Sequence, residues 1–219
     1  MTDKLTVVRS LAPPRRQVPD IAYVKDGEAI PAVSGGADGI FYVDSRQPFL
    51  VADQSSVTLT TTAKTLWAVG ASSPTILPAN YWTVGKTLRL TAFLKWTTGT
   101  AGNITFGMNY GAADNPAAIV NTKTVAKIAS VGPFGVFIQG YATCRSIGTA
   151  GTLSMMGFAY PSIDAVLSTN QPLPFPNDGT TVVSTIDTTV GTNALSFQAK
   201  MSAGTDTIVA TNIILEAMN

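Results

Sequence analysis

A chain of 219 residues with no histidine, one cysteine and only 12% charged residues carries little of the equipment of catalysis. Ser-His-Asp and Cys-His arrangements and His/Cys zinc sites all need residues it lacks, and a formal net charge of +1 makes no field that would draw nucleic acid or an anionic membrane. Yet 45% of the chain is hydrophobic, enough to build the core of one domain.

Positions 1–53 hold six basic and seven acidic residues, together with Pro13, Pro14, Pro19, Pro31, Pro48 and a Gly35-Gly36 pair. Proline fixes φ and has no amide donor, so this stretch predicts neither a helix nor a central strand. Three short apolar clusters interrupt it: Ile21–Val24, Ile40–Val43 and Phe49–Val51. Residues 1–54 therefore read as an extended arm with anchor points, Tyr23, Phe41 and Tyr42 among them. The arm is expected to order against the body or a neighbouring subunit. Arg15-Arg16 reads equally as a grip on an acidic neighbour or as a solvated tail. Met1–Ser10 carries charges of both signs and prolines follow it, so no secretory signal is expected. No apolar run reaches the ~18 residues that a membrane helix needs.

From residue 55 to 219 the pattern is strand after strand. Val57–Thr61 and Lys64–Val69 are short candidates. Lys86–Trp96 is the clearest, with Leu88, Leu90, Ala92, Leu94 and Trp96 on one face and Thr87, Arg89, Thr91, Phe93 and Lys95 on the other. Asn103–Tyr110 places Ile104, Phe106, Met108 and Tyr110 inward and Asn103, Thr105 and Asn109 toward solvent. The intervening residues 97–102 read as a hairpin loop. Ala117–Val125, Phe134–Thr143, Thr152–Ala159 and Thr181–Ile186 follow. Ser162–Leu167 predicts a helical turn or two capped by Ser162. The alternating prolines of Gln171–Pro176 predict an extended loop. Ala194–Met201 alternates cleanly, and Asp206–Glu216 is the expected last strand. The sum is an all-β, two-sheet sandwich of jelly-roll type carrying an extended N-terminal arm. An immunoglobulin-like sandwich is the alternative, but its Cys–Trp–Cys pattern is missing.

No Walker A or dinucleotide fingerprint is present. Paired carboxylates remain, since glycoside hydrolysis needs two of them. Asp114, Asp164, Asp178 and Asp187 fall in or near loops, but Ala113–Pro116 and Asn177–Gly179 already read as turns, where aspartate caps its own backbone. Asp38, Asp44 and Asp53 do not have calcium-loop spacing. No catalytic residue, cofactor or metal is assigned, and the chain is not expected to be an enzyme. Cys144 reads as a small buried hydrophobe, and Asn103-Ile104-Thr105 as a chance glycosylation pattern. Trp96 is in phase with the core. Tyr81-Trp82 follows Leu77–Asn80 in an expected loop and is the better contact surface. In Phe134–Thr143 both faces are apolar, with Phe137 and Tyr141 on one and Phe134, Val136 and Ile138 on the other. With Phe93, this second apolar face demands a cover.

The proline-interrupted arm, the Thr-, Ala- and Gly-rich body, and the stretches Leu77–Trp96 and Tyr141–Gly148 resemble tailed-bacteriophage virion proteins. Among these the chain is most similar to head decoration (capsid-cementing) proteins. The resemblance implies a homotrimer seated on the major capsid protein, located in the virion and made in the host cytoplasm, without a nucleic-acid or membrane partner. The interface candidates are Arg15, Arg16, Tyr23, Phe41, Tyr42, Tyr81, Trp82, Phe93, Phe137 and Tyr141. A tail-associated or carbohydrate-binding sandwich module is the alternative function.

Overall fold

The computed structural model describes residues 47–49, 54–68, 75–112, 114, 119–162, 172–179 and 182–218. Thirteen strands are found among them, in two antiparallel sheets packed face to face. The larger sheet contains β1 (Gln47–Phe49), β2 (Val57–Leu59), β4 (Thr87–Thr97), β8 (Phe134–Ser146), β9 (Gly151–Pro161), β10 (Leu173–Phe175), β11 (Val182–Ile186) and β13 (Asp206–Ala217). Its order is β1-β13-β4-β8-β9-β10, with β2 also beside β13 and β11 also beside β9. The smaller sheet contains β3 (Lys64–Thr65), β5 (Gly102–Gly111), β6 (Ile119–Asn121), β7 (Val125–Lys127) and β12 (Ala194–Met201), in the order β3-β12-β5-β6 with β7 also beside β5.

The two-sheet sandwich expected from the alternation is present. Two ribbons link its sheets. The β4–β5 and β12–β13 connections each pass from one sheet to the other, and the ribbons pair along both sheets, β13 with β4 and β12 with β5. Residues 97–102 are therefore not a hairpin loop: β4 and β5 face each other across the core. A glycine-rich break marks the end of a strand but does not say whether the next strand pairs or crosses. Gln171–Pro176 also differs from its reading as a loop, because Leu173–Phe175 adds to the edge of β9. Proline is tolerated at such an edge. Of Ser162–Leu167, only Ser162 lies within the described residues.

Residues 1–46 lie outside the described residues, and with them Arg15, Arg16, Tyr23, Phe41 and Tyr42. The last part of the stretch read as an arm, Gln47–Phe49, is an edge strand paired with Leu215, Ile214 and Ile213 of β13.

Period-2 side chains make the core. Leu88, Leu90, Ala92, Leu94 and Trp96 of β4 are all buried and face Ile104, Phe106, Met108 and Tyr110 of β5 and Leu195, Phe197, Ala199 and Met201 of β12. Aromatic edges join the sheets: Trp96 meets Phe106 at 6.0 Å and Phe175 meets Phe197 at 6.2 Å, both edge-on. On β13 the register slips between Ala210 and Asn212. The extra residue shifts the alternation, so Ile208 and Ala210 before it and Ile213 and Leu215 after it all turn inward. Gly140 and Gly157, paired across β8 and β9, leave room for the Phe175 ring. A Cβ on Gly157 would lie 2.6 Å from that ring and 2.2 Å from the Gln139 carbonyl oxygen.

The outer face of the smaller sheet departs from expectation. Thr105 and Asn109, read as solvent-facing, are buried, as are Ser196, Gln198 and Thr65. Polar side chains of this kind bury when their hydrogen bonds are met locally. Here Gln198 Nε2 donates to Thr65 Oγ1, and the Thr105 and Thr124 hydroxyls pair at 2.8 Å. Asp114, in the β5–β6 connection, closes over the sheet edge. Its Oδ1 accepts the Thr65 amide and its Oδ2 the Lys64 ammonium, both at 2.7 Å.

Candidate interaction face

The outer face of the larger sheet reads as rows set by strand register. One row is Glu216, Arg89, Tyr141 and Met156. The next is Ile214, Thr91, Gln139 and Phe158, and the third is Asn212, Phe93, Phe137 and Tyr160. Each row crosses β13, β4, β8 and β9 in that order. The odd-numbered positions of β4 and β8 and the even-numbered positions of β9 point outward because their neighbours on the strand fill the core.

The aromatic residues concentrate on β4, β8 and β9. Phe93 and Phe137 lie 5.0 Å apart between ring centroids, and Phe137 and Phe158 lie 5.8 Å apart. Phe93 is 42% exposed, Tyr160 44% and Met156 50%, while Phe137, Phe158 and Tyr141 are half-buried. Val182, opposite Ser154 on β11, extends the apolar surface. Toward the other strand ends the face turns polar. Gln139 Nε2 donates to Thr91 Oγ1, and the Thr87 and Thr143 hydroxyls meet at 2.9 Å. Arg89 Nε donates to Glu216 Oε2 at 2.5 Å. The hydrogen bond to Glu216, joined by one to Tyr141, raises the Arg89 pKa and fixes a charged pair at the margin of the aromatic cluster.

Three of the residues singled out in the sequence thus share one surface: Phe93, Phe137 and Tyr141. Phe134, Val136 and Ile138 lie on the opposite face of the same strand, two of them in the core and Phe134 packed against it. Tyr81 and Trp82 do not join this surface. Trp82 is buried and packs edge-on against Tyr110 at 5.7 Å, so it is a core residue rather than a contact surface. The loop that carries it folds inward because an indole in a short loop gains more from the core than from water. Tyr81 is half-buried, with the Lys86 ammonium 3.3 Å above its ring. Met156, Phe158 and Tyr160 complete this surface, and their spacing of two along a strand is the sequence signal for it.

Two of the carboxylates weighed for chemistry, Asp114 and Asp187, have local roles. Burial alone would raise the Asp114 pKa, but Lys64 and the Thr65 donors outweigh it and hold the carboxyl below the usual range. Asp187 accepts the amide and hydroxyl of Thr189, which lower its pKa. Asp38, Asp44, Asp53 and Asp164 lie outside the described residues. Cys144 is buried on the inner face of β8, and burial pushes its thiol pKa up.

One polar cluster was invisible in the sequence. At the end of the sandwich where both ribbons cross, Lys127 Nζ lies 2.9 Å from Asp206 Oδ1, and both side chains are fully buried. Asp206 Oδ2 accepts Trp96 Nε1–H at 2.9 Å, and Oδ1 also accepts the Gly99 amide at 2.8 Å. Lys127 Nζ donates in addition to the Thr100 carbonyl. Gly99 is required here, because a Cβ would lie 1.9 Å from the Thr205 carbonyl oxygen.

Comparison with protein-family models, with curated proteins and with solved structures found no match.

Proposed function

We propose that this protein is a structural assembly protein that decorates and stabilises a bacteriophage head, working through contacts between subunits rather than through bond chemistry. The observation that carries the reading is the aromatic cluster of Phe93, Phe137, Phe158 and Tyr160 on the outer face of the larger sheet. A sheet face ordinarily exposed to water carries threonine and charge. Half-exposed rings grouped there mark a surface meant to be covered. Aromatic residues and methionine are also the types enriched at the centres of protein interfaces. In this reading the cover is a second copy of the chain within a homotrimer, and the trimer seats on the major capsid protein of the virion.

Sedimentation equilibrium of the full chain tests the first step, with a trimer as the expected result. Co-sedimentation with phage heads stripped of their decoration tests the second. A chain that stays monomeric at high concentration and ignores such heads would remove the proposal. The carbohydrate-binding alternative drew on Tyr81 and Trp82, and it loses support because one is buried and the other already holds a cation on its ring.

A further inference from the structure

We propose that Lys127 and Asp206 are joined by an isopeptide bond between Nζ and Cγ, a self-made cross-link tying the two sheets together. Lys127 ends β7 in the smaller sheet, and Asp206 begins β13 in the larger one. They are 79 positions apart in sequence. Both side chains are shut off from solvent, and they are the two charged residues of the described core. An ion pair in such a place is costly to desolvate. The chain has one cysteine, so a disulfide cannot supply this cross-link within it.

The arrangement suits condensation. Nζ is hydrogen-bonded to Oδ1 at 2.9 Å, which holds the amine beside the carboxyl carbon it would attack. With water excluded, moving one proton from Nζ to Oδ1 along that hydrogen bond discharges both ends at once. The neutral amine then attacks Cγ. The negative charge that develops on Oδ2 falls where Trp96 Nε1–H already donates, at 2.9 Å. Oδ1 departs as water, taking the proton it received and one more from the attacking nitrogen. The C–N bond replaces one C–O bond, and no oxidant or other reactant is needed. In the product, Oδ2 keeps its Trp96 donor and the amide N–H keeps the Thr100 carbonyl as acceptor. Only the Gly99 amide is left without its acceptor.

The test is the intact mass of the full chain, measured under denaturing conditions, followed by tryptic mapping. The expected mass is short of the sequence mass by one water. Cleavage after Lys127 should be abolished, and one branched species should join residues 124–145 to residues 201–219. A mass equal to that of the sequence, with free cleavage after Lys127, overturns the proposal. So does a one-water deficit that maps elsewhere, for example to a succinimide at Asp178-Gly179.

Discussion

Replacing Phe93 with serine should loosen the assembly far more than it loosens the fold. The side chain is 42% exposed in the isolated chain. A phenylalanine buries roughly 200 Å² when fully covered. About 80 Å² therefore remains to be covered by a partner, worth ~2 kcal/mol at about 25 cal/mol per Å². Removing the ring from an interface should then raise the dissociation constant about thirtyfold. Val84 serves as a control, because it is 66% exposed in the turn before β4, away from the aromatic rows. Val84→Ser should leave association unchanged. Sedimentation velocity over a dilution series reads both variants, and urea melts of the dilute protein check that the fold survives. If Phe93→Ser and Val84→Ser associate like the parent chain, the aromatic face is not where subunits meet.

Asp206→Ala removes the cross-link and also leaves the Lys127 ammonium buried without its acid, the second effect alone costing ~3–5 kcal/mol in urea unfolding; the paired change Lys127→Met with Asp206→Leu relieves the unpaired charge but not the lost cross-link, so it should recover part of the stability, and an equal cost for both would contradict a buried, unpaired ammonium in the single variant. Asp114→Asn should cost ~0.5–1 kcal/mol near neutral pH, discounted because the Lys64 pair is partly exposed. The folded pKa of Asp114 is depressed, so its contribution is complete above the ordinary carboxylate range and is lost as pH falls through the lowered value. The gap between the two proteins should therefore close in strong acid, and a gap that widened there would reverse the sign. The Cys144 thiol, buried and with its pKa raised, should resist thiol reagents in the native chain and react on addition of denaturant; rapid stoichiometric labelling of the native protein would show the inner face of β8 to be open.

Strands with one wet and one dry face were legible because their alternation is written residue by residue. Leu88 to Trp96 and Leu195 to Met201 needed nothing beyond their own spacing. The reading failed where burial came from elsewhere in the chain. Thr105, Asn109, Ser196 and Gln198 look like solvent residues, and their burial depends on partners such as Thr65 and Thr124, distant in sequence. Lys127 and Asp206 each pass for surface charges until the ribbons cross and bring them together. The candidate interaction face was half visible. Phe93, Phe137 and Tyr141 could be assigned to outer positions, but their convergence with Phe158 and Tyr160 follows from the order β4-β8-β9, which no local pattern encodes.

Each border of the larger sheet is made of two short strands, β1 and β2 on one side and β10 and β11 on the other, and Pro48 and Pro174 occupy the middle positions of β1 and β10. A proline there offers no amide to an incoming segment, so a further chain finds little ladder to extend. Lateral growth into fibres is discouraged from both sides. A broadside meeting of copies, through a surface of limited extent as proposed above, would instead close into a finite ring. A protein stored at high concentration should then remain a clear solution of discrete particles.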